Sequence, residues 1–500
     1  MTPLGEYLTV KEMITVERNA VRLGVGLQEL MECAGKSVAD QIRDRFDPNS
    51  KVVVISGLSG NGGDGFVAAR HLASLGFDLL VYILGDPINI RHENTKLNYQ
   101  ILEKMRSSIN LKKITDTSSI PKIEADIIID GLIGTSMHGK LRTPYLEMVK
   151  AINSSDAFKV SIDIPTGMIA DTGEILGEAV KPDLIVTFHK QKEGFQGLRN
   201  TRELIVAPIG IPAEAELFTG PGDVWAVQKR RDPDAHKGMF GSLLVVGGSE
   251  TYSGAPTLTS MGAYATGVDL VYTAVPETAS QTIMSQSPSF ITIKLKGERF
   301  QEEHVEKLEP FLKKVDAVAV GPGLGMHPDT VKAFKKLLKR IQKYSLPCVI
   351  DADGLKAYAE KKSKIKTQII FTPHSREFQI LTGKEVHGEF LEKGKIVEKE
   401  AKKLGAVILL KGKVDVMSDG KLTRYNWTGN PGMTVGGTGD VLTGITAGFL
   451  AQGRSLMESA AAASFINGTA GDWVYKEKGY HILPEDIVEK VPYVIEDCSR

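Results

Sequence analysis

The sequence predicts a two-domain α/β protein, each half built on a mostly parallel sheet with crossover helices. Three observations carry that expectation. At 500 residues the chain exceeds what one core ordinarily organises. Short β-type apolar runs alternate with segments of helical periodicity in both halves. Many of those runs end in glycine-rich or acidic segments, where open α/β sheets bind ligands. The totals exclude several function classes. Lys+Arg and Asp+Glu balance at 61 each, which gives no general attraction to nucleic acid or to an acidic membrane. No apolar run reaches membrane-spanning length, and the N-terminus lacks the basic-then-apolar order of a signal peptide. Cys33, Cys348 and Cys498 are far apart, without a Cys-x-x-Cys pair, which argues against a disulfide framework or a cysteine zinc site. A cytoplasmic protein with small-molecule partners is expected.

Residues 9–45 read as two helices, with Met31, Ala34, Val38 and Ile42 on one face of the second. The run 51–56 is a buried strand, followed by a glycine loop over 57–65 and a helix from Phe66. Further strands are expected at 79–84, 126–129, 159–162, 184–188 and 204–207, with helices at 94–105 and around 145–152. Three strand ends carry polar residues: Asn61 with Asp64, Asp130, and Asp163 in Asp-Ile-Pro-Thr-Gly. Parallel strands align their C-terminal ends along one crevice, so these groups are expected to share a pocket. The loop is longer than a dinucleotide Gly-x-Gly-x-x-Gly fingerprint and holds Asp64, a poor fit to a nicotinamide dehydrogenase. Oxygen donors from Asn61, Asp130 and Thr166 would suit a hard cation, although each alone is more often a turn former.

This half resembles the N-terminal, YjeF_N-type domain of NAD(P)H-hydrate epimerases, a Rossmann-like fold. That family carries Asn-Asn-Gly-Gly-Asp-Gly after its first strand; residues 60–65 here read Gly-Asn-Gly-Gly-Asp-Gly, with Gly60 in place of the first asparagine. The resemblance implies a potassium ion near Asn61, Asp130 and Thr166. It also implies substrate contacts from Gly60, Asn61, Gly62, Gly63 and Asp64, from Gly134, Thr135, Ser136, Met137, His138, Gly139 and Lys140, and from Tyr145 and Asp163. Asp163 is the candidate acid/base.

The density of Pro and Gly over 208–223 breaks both helix and strand, so a boundary is placed there, between domains at 1–215 and 225–500. The charged run 229–232 reads as a solvated linker. Beyond it, strands are expected at 242–246 and 269–275, with a small-residue helix, 257–266, between them. Ala317–Val320 leads into Gly-Pro-Gly-Leu-Gly, 347–350 into two aspartates, 369–371 into Thr-Pro-His-Ser-Arg-Glu, and 406–410 into Lys-Gly-Lys. The stretch from Asn426 to Asp440 then runs into apolar residues at helical spacing. Glycines there permit close approach to a ligand, and a helix start offers unpaired N–H groups to an anion. Capping alone would explain Asp440 but not Gly436, Gly437 and Gly439 around it, so a phosphate-transfer or phosphate-elimination site is expected. Lys411 and Lys413 could meet nucleotide phosphates, and Asp353 or Glu377 could reach magnesium through water.

The C-terminal half is similar to ADP/ATP-dependent NAD(P)H-hydrate dehydratases, which have a ribokinase-like fold. Four segments carry the likeness: His-Lys-Gly at 236–238, Gly-Pro-Gly-Leu-Gly at 321–325, Thr-Pro-His at 372–374, and Gly-Asn-Pro-Gly-Met with Gly-Thr-Gly-Asp over 429–440. The resemblance implies hydrate contacts at Ala255, Gly323, His374 and Asp440. It places ADP (or ATP), with Mg2+, against Lys411, Gly412, Lys413, Val414 and Asp415. It places the same nucleotide against Asn430, Pro431, Gly432, Met433, Thr434, Val435, Gly436, Gly437, Thr438 and Gly439. Asp440 would be the catalytic base, and a homo-oligomer is expected. Two competing expectations stand beside it. The C-terminal half could be a kinase of a vitamin-like alcohol, and the N-terminal half a non-catalytic ligand-binding or dimerisation module.

Overall fold

A computed structural model of the chain describes residues 4–197, 203–228, 231–360 and 368–499; Lys229 and Arg230 of the expected linker lie outside them. The chain forms two compact units, Leu4–Ala213 and Glu214–Arg500.

The first unit holds a seven-stranded sheet, every pair parallel. Its strands are Lys51–Ser56, Asp78–Leu84, Ile109–Ile114, Ile127–Gly131, Phe158–Ile162, Leu184–Phe188 and Glu203–Ala207. Numbered along the chain, they lie across the sheet as 3-2-1-4-5-6-7. Central strands are buried on both faces, as their near-continuous Val and Ile demand. The two leading helices are Val10–Arg22 and Leu27–Arg43, the second burying Met31, Ala34, Val38 and Ile42. One boundary differs from expectation. The helix after the first strand opens at Gly60, not Phe66. Its glycines serve packing: a Cβ on Gly62 would collide with the Gly57 carbonyl oxygen, and one on Gly63 would stand 2.6 Å from Met31 Cε.

Among the described residues the second unit holds nine strands. These are Ser242–Val246, Leu270–Pro276, Ile291–Leu295, Ala317–Val320, Cys348–Ile350, Ile369–Phe371, Val407–Leu410, Asp415–Ser418 and Thr423–Asn426. Their order across the sheet is 3-2-1-4-5-6-7-8-9, the first seven parallel and the last two added as an antiparallel pair of hairpins. Two apolar clusters sandwich the sheet, one of them including the helices Gly254–Ala265, Thr438–Ala451, Leu456–Lys478 and Pro484–Ser499. The first two of those helices cross at glycines. A Cβ on Gly262 would stand 2.6 Å from Val441 O, and one on Gly444 would strike Thr259 O. Small residues at these positions set how deep the helix carrying Asp440 sits.

In both sheets the strand order reverses between the first and fourth strands, and ligands of open α/β sheets bind at that reversal.

Candidate active sites

In the N-terminal unit, two cavities meet at the C-terminal ends of the first and fourth strands. A small one, about 230 Å³, is lined by Asn61, Asp64, Gly134, Thr135, Ser136 and Asp163, with Glu17, Met31 and His92 among its other walls. A larger one, about 840 Å³, is lined by Met137, His138, Gly139, Lys140 and Tyr145 and also by Arg91 and Arg142. Ser59, Gly60, His92 and Ser136 border both. The structure thus brings together the expected contacts except Gly62 and Gly63, which are spent on helix packing. A Cβ on Gly60 would meet nothing within 4 Å, so this position opens to the cavities.

The two cavities differ in charge. The larger is lined by Arg91, Lys140, Arg142 and two histidines, with no carboxylate among the described residues. The smaller holds Glu17, Asp64 and Asp163. Asp163 sits in a left-handed conformation, φ 58°, at the end of its strand. Its Oδ1 accepts from Lys192 Nζ at 2.6 Å and from Thr187 Oγ1 at 2.8 Å. Lys192 is 1% exposed and also donates to Thr187 Oγ1 and the Phe188 carbonyl. Burial, then Asp163 and Glu17, push Asp64 well above the usual carboxylate range, against the pull of Lys192.

The three expected ion ligands converge on the segment 130–134. Asp130, fully buried, accepts from Ser161 Oγ, Thr166 N and Oγ1, and Leu132 N. Thr166 Oγ1 also accepts from Ile133 N, and Asn61 Oδ1 lies against Gly134. Burial raises the pKa of Asp130 while its hydrogen bonds lower it, and no cationic side chain contributes. A buried carboxylate compensated only by neutral donors, amid amide and hydroxyl oxygens, fits a weakly hydrated monovalent cation.

In the C-terminal unit, Gly437 adopts φ 105°, a conformation that suits glycine, and caps the helix Thr438–Ala451. Among the described residues the N–H groups of Gly437, Thr438 and Gly439 meet no acceptor. They form a start to which an anion is drawn. Asp440 stands in the first turn. Burial, then Asp351, raise its pKa, Lys411 lowers it, Glu377 raises it again, and the result is about 7. Lys411 Nζ lies beside Gly439, where a Cβ would be 3.2 Å away. Its ammonium bonds Asp351 Oδ1 at 2.9 Å, and Thr443 Oγ1 bonds Asp351 Oδ2 at 2.7 Å. Burial would lower Lys411, but Asp351, Glu377 and Asp440 hold it above its ordinary value.

His374 caps the helix Ser375–Thr382, its Nδ1 accepting from Arg376 N and Glu377 N. Its proton therefore rests on Nε2, 3.5 Å from Glu377 Oε2, on a side chain 55% exposed and within reach of a ligand. Gly323 and Ala255 are neighbours, a Cβ on the former being 3.4 Å from that of the latter, with exposed Tyr252 beside them. Several expected nucleotide contacts turn out to shape their own loop. Asp415 accepts from Gly412 N and Ser464 Oγ, Asn430 caps Pro431–Thr434 and bonds Asp472, and Met433 Sδ packs on Gly471. Asp353 is redirected too: it accepts from Gly325 N and pairs with Lys356, so the strand-end carboxylate facing the lysine is Asp351. Glu377 is 7% exposed and takes the His374 N–H. Among the described residues no group of three or more His, Cys, Asp or Glu is arranged for a metal ion.

Sequence reasoning missed Glu17, Lys192, Arg91 and Asp351. Glu17 did leave a signal: Met13, Glu17 and Ala20 fall at helical spacing, so a carboxylate interrupts a buried stripe. Lys192 lies in the two-residue strand Gln191–Lys192 and has no spacing signature.

An anion-attracting helix start with a partly buried carboxylate and lysine, on a 3-2-1-4-5-6-7-8-9 sheet, defines a ribokinase-like domain, here preceded by a Rossmann-like one. The comparisons narrow this. A family model described as NAD(P)H-hydrate dehydratase matches residues 243–493, and one described as YjeF-related protein N-terminus matches 27–194. The bifunctional NAD(P)H-hydrate repair enzyme Nnr of Pyrobaculum aerophilum is 41% identical, over 98% of this chain and 98% of its own. Its namesake in Archaeoglobus fulgidus is 41% identical over 99% of each. Among solved structures, a ribokinase-like superfamily protein from Enterococcus faecalis superposes with TM-score 0.51 at 25% identity, covering 57% of this chain and 96% of that one. An ADP/ATP-dependent NAD(P)H-hydrate dehydratase from Bacillus subtilis, co-crystallised with ATP/Mg2+, gives 0.50 at 24%, covering 56% and 98%, a likeness of fold. The chain belongs to the bifunctional NAD(P)H-hydrate repair enzymes.

Proposed function

We propose that the chain restores hydrated NADH and NADPH: its N-terminal unit interconverts the R and S hydrates, and its C-terminal unit dehydrates the S form at the expense of ADP or ATP. The observation that carries this reading is Asp440, a half-buried carboxylate with pKa about 7 in the first turn of an anion-accepting helix start beside Lys411. In the dehydratase step, Asp440 takes the proton of the ring hydroxyl as that oxygen attacks the terminal phosphorus of the nucleotide. The N–H groups of Gly437, Thr438 and Gly439 stabilise charge growing on the phosphoryl oxygens, and Lys411 neutralises the departing nucleotide. The C–O bond of the phosphorylated ring then breaks and inorganic phosphate leaves. Loss of a proton from the neighbouring ring carbon restores the double bond. His374 Nε2–H, with Ala255 and Gly323, holds the hydrate.

Magnesium, which ordinarily arrives on nucleotide phosphates, would meet single carboxylates such as Glu377 through water and offset phosphate charge. Potassium would sit at Asn61, Asp130 and Thr166, neutralise Asp130 and fix the 130–134 segment. In the N-terminal unit the basic cavity suits the dinucleotide's phosphates, and the acidic one its damaged ring. The same reading takes the enzyme to be a cytoplasmic homo-oligomer, open to sedimentation and cell fractionation.

The test is to incubate the protein with mixed R and S hydrates of NADH and either ADP or ATP. Full recovery of absorbance at the reduced-nicotinamide band is expected, with free phosphate released. Recovery that stops at the S fraction would remove the epimerase. A stable phosphorylated product would make the C-terminal unit a kinase.

A further inference from the structure

We propose that Glu17 is a second catalytic acid/base of the N-terminal site, exchanging protons with the substrate in concert with Asp163. The inference rests on the reading of that unit as an epimerase. Glu17 comes from the helix Val10–Arg22, outside the segment 27–194 that the family model matches.

The chemistry asks for two groups. Water adds across an enamine double bond with its hydroxyl on the carbon next to nitrogen. Inverting that carbon breaks the C–O bond, the ring nitrogen's lone pair forming C=N+ while the hydroxyl gains a proton and leaves as water. A second water then adds to the other face and loses a proton. One carboxyl must give a proton and another take one, and solvent exchange restores the starting state. In the reverse direction the two exchange roles.

The small cavity offers few candidates. Lys192 is excluded as donor, because its three ammonium hydrogens are engaged by Asp163, Thr187 Oγ1 and the Phe188 carbonyl. It is a positioning residue that holds the Asp163 carboxylate in place. Asp64 sits on a helix start locked by Gly62 and Gly63 against Gly57 and Met31. Glu17 lines the same cavity on a longer side chain and makes no hydrogen bond or ion pair among the described residues. It faces Asp64, His92, Asp163 and Lys192 from other elements, with Arg18 next to it on its own. Burial raises its pKa to about 7, Lys192 pulling down, Asp163 pushing up and Arg18 pulling down. Near neutrality Glu17 therefore carries a proton part of the time, as a shuttle needs.

The experiment uses the full chain and purified R hydrate of NADH, and follows R-to-S exchange by chromatography with the spontaneous rate subtracted. For the wild type, kcat/KM should fall about tenfold per pH unit above 7, as Glu17 loses its proton. Glu17→Gln should lower kcat by about 10²-fold or more, leave KM within about threefold, and abolish that limb. Glu17→Asp should restore part of the rate and the limb. A wild-type profile level from pH 7 to 9, or Glu17→Gln with wild-type kcat, would overturn the proposal; should Glu17→Gln fail to fold, the wild-type profile decides alone. Absence of exchange by the wild type at every pH would instead sink the epimerase reading on which this one stands.

Discussion

Asp440 serves chemistry at the expense of stability. An unfolded aspartate ionises near its ordinary value of 3.8, whereas in the fold burial and Asp351 delay ionisation to about 7. A group whose folded pKa is raised binds more protons in the native state, so its contribution becomes less favourable as pH climbs from about 4 to about 7. Asp440→Asn should therefore melt higher than the wild type at pH 8, by a margin that shrinks toward pH 5; scanning calorimetry at the two pH values decides it. The same substitution should lower dehydration by about 10²- to 10⁴-fold while nucleotide binding by titration calorimetry persists. In the wild type, dehydration should rise with pH up to about 7 and then level, because the base must be ionised. Turnover retained in Asp440→Asn would take the proton from some other group. Lys192 is a different case: removing it leaves Asp163 buried beside its old partner's cavity. Lys192→Met should cost on the order of 3–5 kcal/mol of unfolding free energy, read by urea denaturation.

At the scale of elements, the helix Thr438–Ala451 is positioned by what it lacks. Gly444 lets it press on Thr259 O, and Gly262 lets the facing helix press on Val441 O. Gly444→Ala must push the two helices apart, which should cost about 1–3 kcal/mol and move Asp440 relative to Lys411. A lowered thermal midpoint with a drop in kcat larger than the change in KM is the expected pair of readings. Gly60→Ala, by contrast, enters open space at the cavity mouth and should leave the melting temperature within about a degree, since surface changes of this kind stay near ±0.5 kcal/mol. The expected elements followed hydrophobic periodicity closely in the centres of both sheets, where Val and Ile runs admit few alternatives. The edge strand Ile109–Ile114, with its lysines, was not legible, because an edge strand exposes one side and loses its apolar signature. Nor was the true start of the helix at Gly60. Glycine density reads as a loop, yet here it records close packing. The candidate sites were legible where residues cluster in sequence, as in 60–64 and 134–140. They were not where the fold alone makes neighbours, as with Glu17 and Asp163 or Asp351 and Lys411.

For the whole molecule, the repair reading makes the two units serial. One equalises the hydrates and the other drains one of them, so neither needs to know the other's state. A protein carrying Asp440→Asn should still exchange epimers, and one carrying Asp163→Asn should still dehydrate the S form. Mixed in equal amounts, the two single variants should together recover the full hydrate pool, at a rate set by diffusion of free substrate. Failure of the mixture, with both halves active alone, would mean that the hydrate is handed over within one chain. Both sheets reverse their strand order at the same place; the N-terminal cavities open at that reversal, whereas Asp351, His374 and Lys411 follow the fifth, sixth and seventh strands of the second sheet and Asp440 lies in the helix beyond its ninth. Lesions in the two sites are thus separable: with dehydration silenced both epimers persist in balance, with exchange silenced only the R hydrate is left behind, and either point change leaves half a craft on an untouched scaffold rather than a dead protein.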